Sequence, residues 1–197
     1  MMDTTQQLSA ETILATTEEV LRRHGPAKAT VADVARALGV SPGSVFRHFK
    51  SKAALREAVT RRWIIRTQGQ PALVVADTSL PPHERLHAWL RTVFAVKRAT
   101  AAADPELFAT YCMLVAEHRD VVTDHVGDLI GQLGAIIADG AATGDFATSD
   151  PEATARAIFG ATTRFHHPAH AEEWHSSRIE QEFDDTCLLL LDGLRAR

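Results

Sequence analysis

Between Thr30 and Val59 the sequence runs TVADVARALGVSPGSVFRHFKSKAALREAV. Val31, Val34, Ala35 and Leu38 recur at helical spacing, so a helix is expected over 31–38. Thr30 stands at its N-cap with Asp33 three residues on, a capping-box pattern with Asp in place of Glu. Gly39 follows the last apolar residue, where the chain can turn sharply. Ser41 can cap a second helix, expected over 42–49, and Pro42 at its first position loses nothing by lacking an N–H. Ser51 caps a further helix that starts at once. Two short helices joined by a glycine turn make a helix-turn-helix unit, here at about 31–49.

The unit divides into anchors and an open face. Val40, Val45 and Phe49 are apolar anchors, and Ala35 is small where the helices must approach. Packing on those anchors leaves Pro42, Gly43, Ser44, Phe46, Arg47 and His48 toward solvent. Such a face suits a DNA major groove, which is about 12 Å wide and admits one helix. Gly43 and Ser44 lack bulk, so the helix start can come close to base edges, and its free N–H groups favour phosphate. Arg47 is expected to contact a base or clamp phosphate oxygens, with Lys50 and Lys52 on phosphates just beyond the helix. Charge agrees: residues 1–66 carry 11 Lys/Arg against 6 Asp/Glu, whereas residues 67–197 carry 10 against 19. The basic N-terminal region points to an anionic partner.

Over about residues 9–60 the sequence resembles the DNA-binding domain of the TetR family of bacterial transcriptional regulators. The resemblance rests on the Thr30 cap, the Ala35–Gly39–Val40 turn, the VFRHF run at 45–49 and the Ser51-Lys52 helix start. A looser similarity covers DGAATGDFATSDPEATARAIFGATTRFHHP, residues 139–168. The resemblance implies an all-α homodimer of about nine helices. The first three helices would bind DNA, giving a DNA-binding domain over 1–52 and a ligand-binding and dimerisation domain over 53–197. It also implies a repressor that leaves a partly palindromic operator when a small molecule binds. Ser41, Ser44, Arg47, His48 and Lys52 fall at positions the family uses on DNA. Phe46 departs from the pattern, because the family most often has Tyr there, with a hydroxyl that reaches phosphate. Phe46 can still rest on a sugar or a thymine methyl. The full expected contact set is Thr30, Ser41, Pro42, Gly43, Ser44, Phe46, Arg47, His48, Lys50 and Lys52.

The remaining pattern is helical. Further helices are expected at about 9–24, 51–67, 83–100, 105–117, 119–142, 152–166 and 176–194. Only PALVVAD, residues 71–77, has a β-like run. In the final helix Ile179, Phe183, Cys187, Leu190, Leu191 and Leu194 form one stripe, widened by Leu188 and Leu189. A helix apolar on more than one side needs more than one cover. Together with the small residues Ala157, Gly160 and Ala161, that stripe is expected to form a twofold dimer interface. Trp89, Phe94, Phe108, Tyr111, Cys112, Met113 and Phe165 are candidate lining for an apolar effector pocket.

Ten histidines are present, and His166, His167, His170 and His175 lie within ten residues. His166, His167 and His170 are weak metal candidates, as is the i,i+4 pair His83 and His87. They leave a metal-responsive regulator open as an alternative, beside a ligand-independent one and an interaction module that has lost DNA binding. No nucleophile elbow, phosphate loop, zinc-hydrolase motif or cofactor fingerprint occurs, so neither an enzyme nor a bound cofactor is expected. No apolar run approaches the roughly 20 residues of a membrane helix. MMDTTQQLSAET at the start has no apolar signal core, and Cys112 and Cys187 form no motif. A cytoplasmic protein with free thiols is the expectation.

Overall fold

A computed structural model describes residues 8–117 and 119–195. The start of the chain, where no signal core was expected, lies largely outside the described residues. The elements are α1 (Ala10–Lys28), α2 (Val31–Leu38), α3 (Pro42–Phe46), α4 (Lys52–Ala76), α5 (Pro82–Ala103), α6 (Pro105–Glu117), α7 (Arg119–Thr143), α8 (Pro151–Ala161), α9 (Thr163–His166), a 3-10 helix (Pro168–His175) and α10 (Ile179–Leu194). Among the described residues there is no strand, only an isolated bridge between Phe146 and Arg195. The protein is all-α.

Local chemistry sets most boundaries as expected. Ser9 Oγ accepts from Thr12 N–H at 3.1 Å and starts α1. Gly25 interrupts α1 at φ 70°, just before Pro26, and one more turn follows to Lys28. The break expected after His24 is therefore a kink, and the helical segment ends four residues later.

The expected count of nine rises for two reasons. The helix expected over 152–166 breaks at Thr162, whose φ and ψ of −96° and 8° are not helical. Pro168–His175, expected as a break, winds as a 3-10 helix.

The β-like reading of residues 71–77 is corrected: α4 runs through them to Ala76, with Pro71 inside the helix. A strand needs a neighbour to pair with, and the surrounding helices supply none. Tertiary context overrides β propensity here.

Two compact units result, Met1–Ile64 with Asp104–Val121, and Ile65–Ala103 with Val122–Arg197. In the first, Ile13, Leu21, Val34, Ala35, Val45, Leu55, Val59 and Leu114 share one core. Ion pairs add to it, with Arg22 2.6 Å from Asp104 and Arg62 2.8 Å from Glu11. In the second, Leu86, Trp89, Leu133, Ile136, Phe183 and Cys187 are among the most buried residues. α7 is long and apolar enough by composition to cross a membrane. One face of it packs into the core, with His125, Leu129, Leu133, Ile136 and Ile137 buried along it.

Candidate nucleic-acid interface

The helix-turn-helix is built by interlocking caps. Thr30 Oγ1 accepts from Asp33 N–H at 3.2 Å, and Asp33 Oδ2 accepts from Thr30 N–H at 3.1 Å. The Thr30 hydrogen bonds hold the Asp33 carboxyl below its ordinary range, with Arg36 adding to the effect. Gly39 closes α2 at φ 68°, ψ 27°, a conformation costly for residues with a Cβ. Its neighbour Val40 then donates to Ala35 O at 3.0 Å. Ser41 Oγ caps α3 by accepting from Ser44 N–H at 3.3 Å, and Ser51 Oγ caps α4 by accepting from Ala54 N–H at 3.0 Å.

Val45 anchors α3 with no exposed surface, while Ala35 is 1% exposed at the close approach of the helices. Around that anchor Pro42, Gly43, Phe46, Arg47 and His48 are exposed, and Ser44 is half-buried. Ser41, Ser44 and Arg47 form a hydrogen-bonded row at spacing of three. The two serine hydroxyls are 3.1 Å apart, and Arg47 Nη2 donates to Ser44 Oγ at 3.2 Å. Thr30, Lys50 and Lys52 are also exposed. Phe46 keeps 44% of its surface free on the same short helix.

α3 ends at Phe46 rather than Phe49, with Arg47, His48 and Phe49 in a closing turn. Five residues give only a small axial dipole, so phosphate attraction by the helix start weighs less than the side-chain row. A fixed hydroxyl–guanidinium row on an exposed, firmly anchored helix can donate to base edges and phosphate oxygens together.

The expected pocket residues fall into two clusters. In the first unit Trp63 stacks on Tyr111 at 3.6 Å and lies 5.9 Å from Phe108. Trp63 was not among the expected lining residues. Burial raises the Tyr111 hydroxyl above its ordinary range, and the half-buried Cys112 thiol likewise. Met113 is 53% exposed. In the second unit Phe94, Phe165 and Phe183 form a cluster with ring centres 4.9–5.6 Å apart. Trp89 Nε1 donates to Gln132 at 3.0 Å.

The expected dimer residues also divide. Ile179, Phe183, Cys187 and Leu194 are buried within the single chain. Burial pushes the Cys187 thiol up to about 12. Leu190 and Leu191 are half-buried, whereas Ala157, Gly160 and Ala161 are exposed. Leu188 and Leu189, expected only to widen the stripe, are 59% and 75% exposed.

The histidines do not converge as a group. His166 is buried with its ring 4.2 Å from Phe159, and His167 is exposed. His170 pairs with Glu173 at 2.7 Å. Among the described residues no three His, Cys, Asp or Glu side chains are grouped to hold a metal ion. A different group was missed in the sequence: Lys97, His125 and His166 are all buried in the second unit. The available signal was a titratable residue on an apolar stripe. Lys97 follows Leu86, Leu90 and Val93 at helical spacing, and His125 precedes Leu129 and Leu133.

Comparison with known proteins agrees with this geometry. The family model described as bacterial regulatory proteins, tetR family, matches residues 13–59. The model described as tetracyclin repressor-like, C-terminal domain, matches residues 82–187. Uncharacterized HTH-type transcriptional regulators from two strains of Mycobacterium tuberculosis are 30% identical over 96 residues, or 49% of this chain and 47% of theirs. The chain thus spans about half the length of the curated relatives it matches. A protein of unknown function from Rhodococcus sp. RHA1 shares the fold with a TM-score of 0.75 at 18% identity, over 98% of this chain and 100% of that one. The transcriptional regulator FadR from Bacillus subtilis, solved in complex with stearoyl-CoA, gives 0.70 at 16% identity over 95% and 100%. With one model on the helix-turn-helix and a second over more than half of the chain, the protein belongs to the TetR family of bacterial transcriptional regulators.

Proposed function

We propose that the protein is a repressor that occupies a partly palindromic operator as a homodimer and is released when a small molecule binds. The observation that carries this reading is the Ser41–Ser44–Arg47 row on α3, exposed and held by fully buried Val45. In this reading residues 1–52 are the DNA-binding domain and residues 53–197 the ligand-binding and dimerisation domain. Arg47 reads base edges from the major groove. Ser41, Ser44, His48, Lys50 and Lys52 hold phosphates, with Thr30, Pro42 and Gly43 close to the backbone. Phe46 rests on a sugar or a thymine methyl.

The dimer forms through the exposed apolar pair Leu188 and Leu189 on α10 and the exposed small residues Ala157, Gly160 and Ala161 on α8. Two reading helices then stand about 34–36 Å apart and meet half-sites one helical turn apart. The effector is mostly apolar, as the cluster of Phe94, Phe165 and Phe183 supports. It acts by binding more tightly to the arrangement that fits DNA poorly, which is all that release requires. The protein works in the cytoplasm, where its operator lies.

The test is selection of genomic DNA fragments by the purified protein. Enriched fragments should share a site with twofold symmetry, and the neighbouring genes then narrow the choice of effector. Absence of enrichment sinks the DNA-binding reading, and an asymmetric site sinks the dimeric one.

A further inference from the structure

We infer that Lys97, with His125 and His166, forms the anion-receiving end of the effector site, and that the effector is an apolar molecule bearing a single carboxylate. This rests on the reading of the protein as a ligand-released regulator. Lys97 is 6% exposed on α5, His125 6% on α7 and His166 9% on α9. Lys97 Nζ lies 3.4 Å from His125 Nε2, its one hydrogen-bonding partner among the described residues. No carboxylate among them pairs with it.

A buried cation without an acid is unusual, because its lost hydration is normally offset by a carboxylate. Arg85, earlier on the same helix, follows that rule. It is 3% exposed, and its guanidinium is 2.6 Å from Asp139. Acid is not scarce, since residues 67–197 carry 19 Asp/Glu against 10 Lys/Arg. None of the described acids is paired with Lys97.

Burial lowers the Lys97 ammonium to about 8, so it remains mostly charged at neutral pH. Burial also holds both imidazoles neutral, and the positive charge of Lys97 adds to the effect. The cluster therefore carries about one positive charge and matches a monoanion. A dianion such as phosphate would leave a buried negative charge. The remaining N–H donors of the Lys97 ammonium can serve a carboxylate: Lys97 Nζ already donates to His125 Nε2 at 3.4 Å, and His166 Nε2 donates to Phe159 O at 3.1 Å.

The surroundings fit the rest of such a molecule. Phe94, one turn before Lys97, lies against Phe165 and Phe183. Phe165 directly precedes His166, and Phe159 lies against the His166 ring. An apolar body along these rings places its acid head at Lys97.

The test compares acids with their alcohols on the full chain by isothermal titration at pH 7: benzoate with benzyl alcohol, octanoate with octanol, and dodecanoate with dodecanol below its micelle concentration. At least one acid should bind roughly tenfold or more tightly than its alcohol, the lower end for a hydrogen bond to a charged group. Lys97→Met should erase that preference while keeping the alcohol's affinity. No preference in any pair, including no binding by any acid, overturns the proposal, as does a preference that survives in Lys97→Met. The wild-type comparison decides the matter even if the variant fails to fold. Release of selected operator DNA separates the two readings. An acid that binds with preference but releases nothing leaves the carboxylate site standing and sinks effector-driven release. An uncharged molecule that releases DNA equally from wild type and Lys97→Met does the reverse.

Discussion

Arg47→Ala is expected to weaken operator binding without weakening the fold. Arg47 is exposed, and its guanidinium donates to the neighbouring Ser44 hydroxyl rather than to the core. Truncation should change the stability of the free chain by no more than about 0.5 kcal/mol. In the complex, a bidentate Arg contact on a base contributes about 1–3 kcal/mol, and a twofold dimer makes two of them. The expected loss is about 2–6 kcal/mol, roughly 30-fold to 10⁴-fold in Kd. Fluorescence anisotropy on a selected operator measures that loss, with melting temperature and sedimentation mass taken from the same samples. Val45→Ala is the counterpart. Val45 has no exposed surface, so removing two methyl groups and leaving a cavity costs about 2 kcal/mol of stability. Its melting temperature should fall while its reading side chains remain. Wild-type operator affinity in Arg47→Ala would refute the assigned reading face. So would a loss of binding that merely follows a loss of helicity.

Phe46→Tyr should tighten operator binding by about 0.5–1.5 kcal/mol per half-site, the contribution of one neutral hydrogen bond to phosphate; unchanged affinity would mean that no phosphate lies in reach. A dimer making about 6–10 phosphate contacts should lose roughly 10³–10⁵-fold in affinity between 50 and 200 mM salt, and a flat response would favour an interaction module. Stability should also fall on mild acidification. Burial lowers His125 to about 3 and His166 to about 4, whereas an unfolded histidine takes its proton near 6.5. Between those values the unfolded chain binds more protons, so this contribution is full above about pH 6.5 and is lost as pH falls toward 4. Urea unfolding at pH 7, 5.5 and 4.5 measures the slope, and His166→Phe should flatten it; greater stability at pH 5.5 than at 7 would contradict the burial argument. Gly39→Ala should cost about 1–2 kcal/mol, because φ of 68° crowds a Cβ, and an unchanged melting temperature would show that the turn has another conformation open to it.

Local features were legible because their physics is local. The Thr30–Asp33 box, the Ser41 and Ser51 caps and the left-handed Gly39 each depend on residues within a few positions. The same holds for the open face of α3, since helical spacing separates Val45 from Phe46 and Arg47. Where spacing was ambiguous, the reading failed. PALVVAD suits a strand by composition, yet no partner strand exists among the described residues and the segment continues α4. The apolar stripe of α10 signalled more than one cover, but not which residues the chain itself would cover. Packing buries Ile179, Phe183, Cys187 and Leu194 and leaves Leu188 and Leu189 outside.

The sequence by itself determined the all-helical class, the helix-turn-helix and the exposed face around Val45. Tertiary structure alone decided that Lys97 and His125, 28 residues apart, meet inside the second unit with His166 nearby. It also decided that Arg85 has a carboxylate beside it and that Lys97 has none among the described residues. Caps and turns are governed by the chain's own stereochemistry over a few residues. Convergence of distant side chains depends on how whole helices pack, and no short window of sequence holds that information.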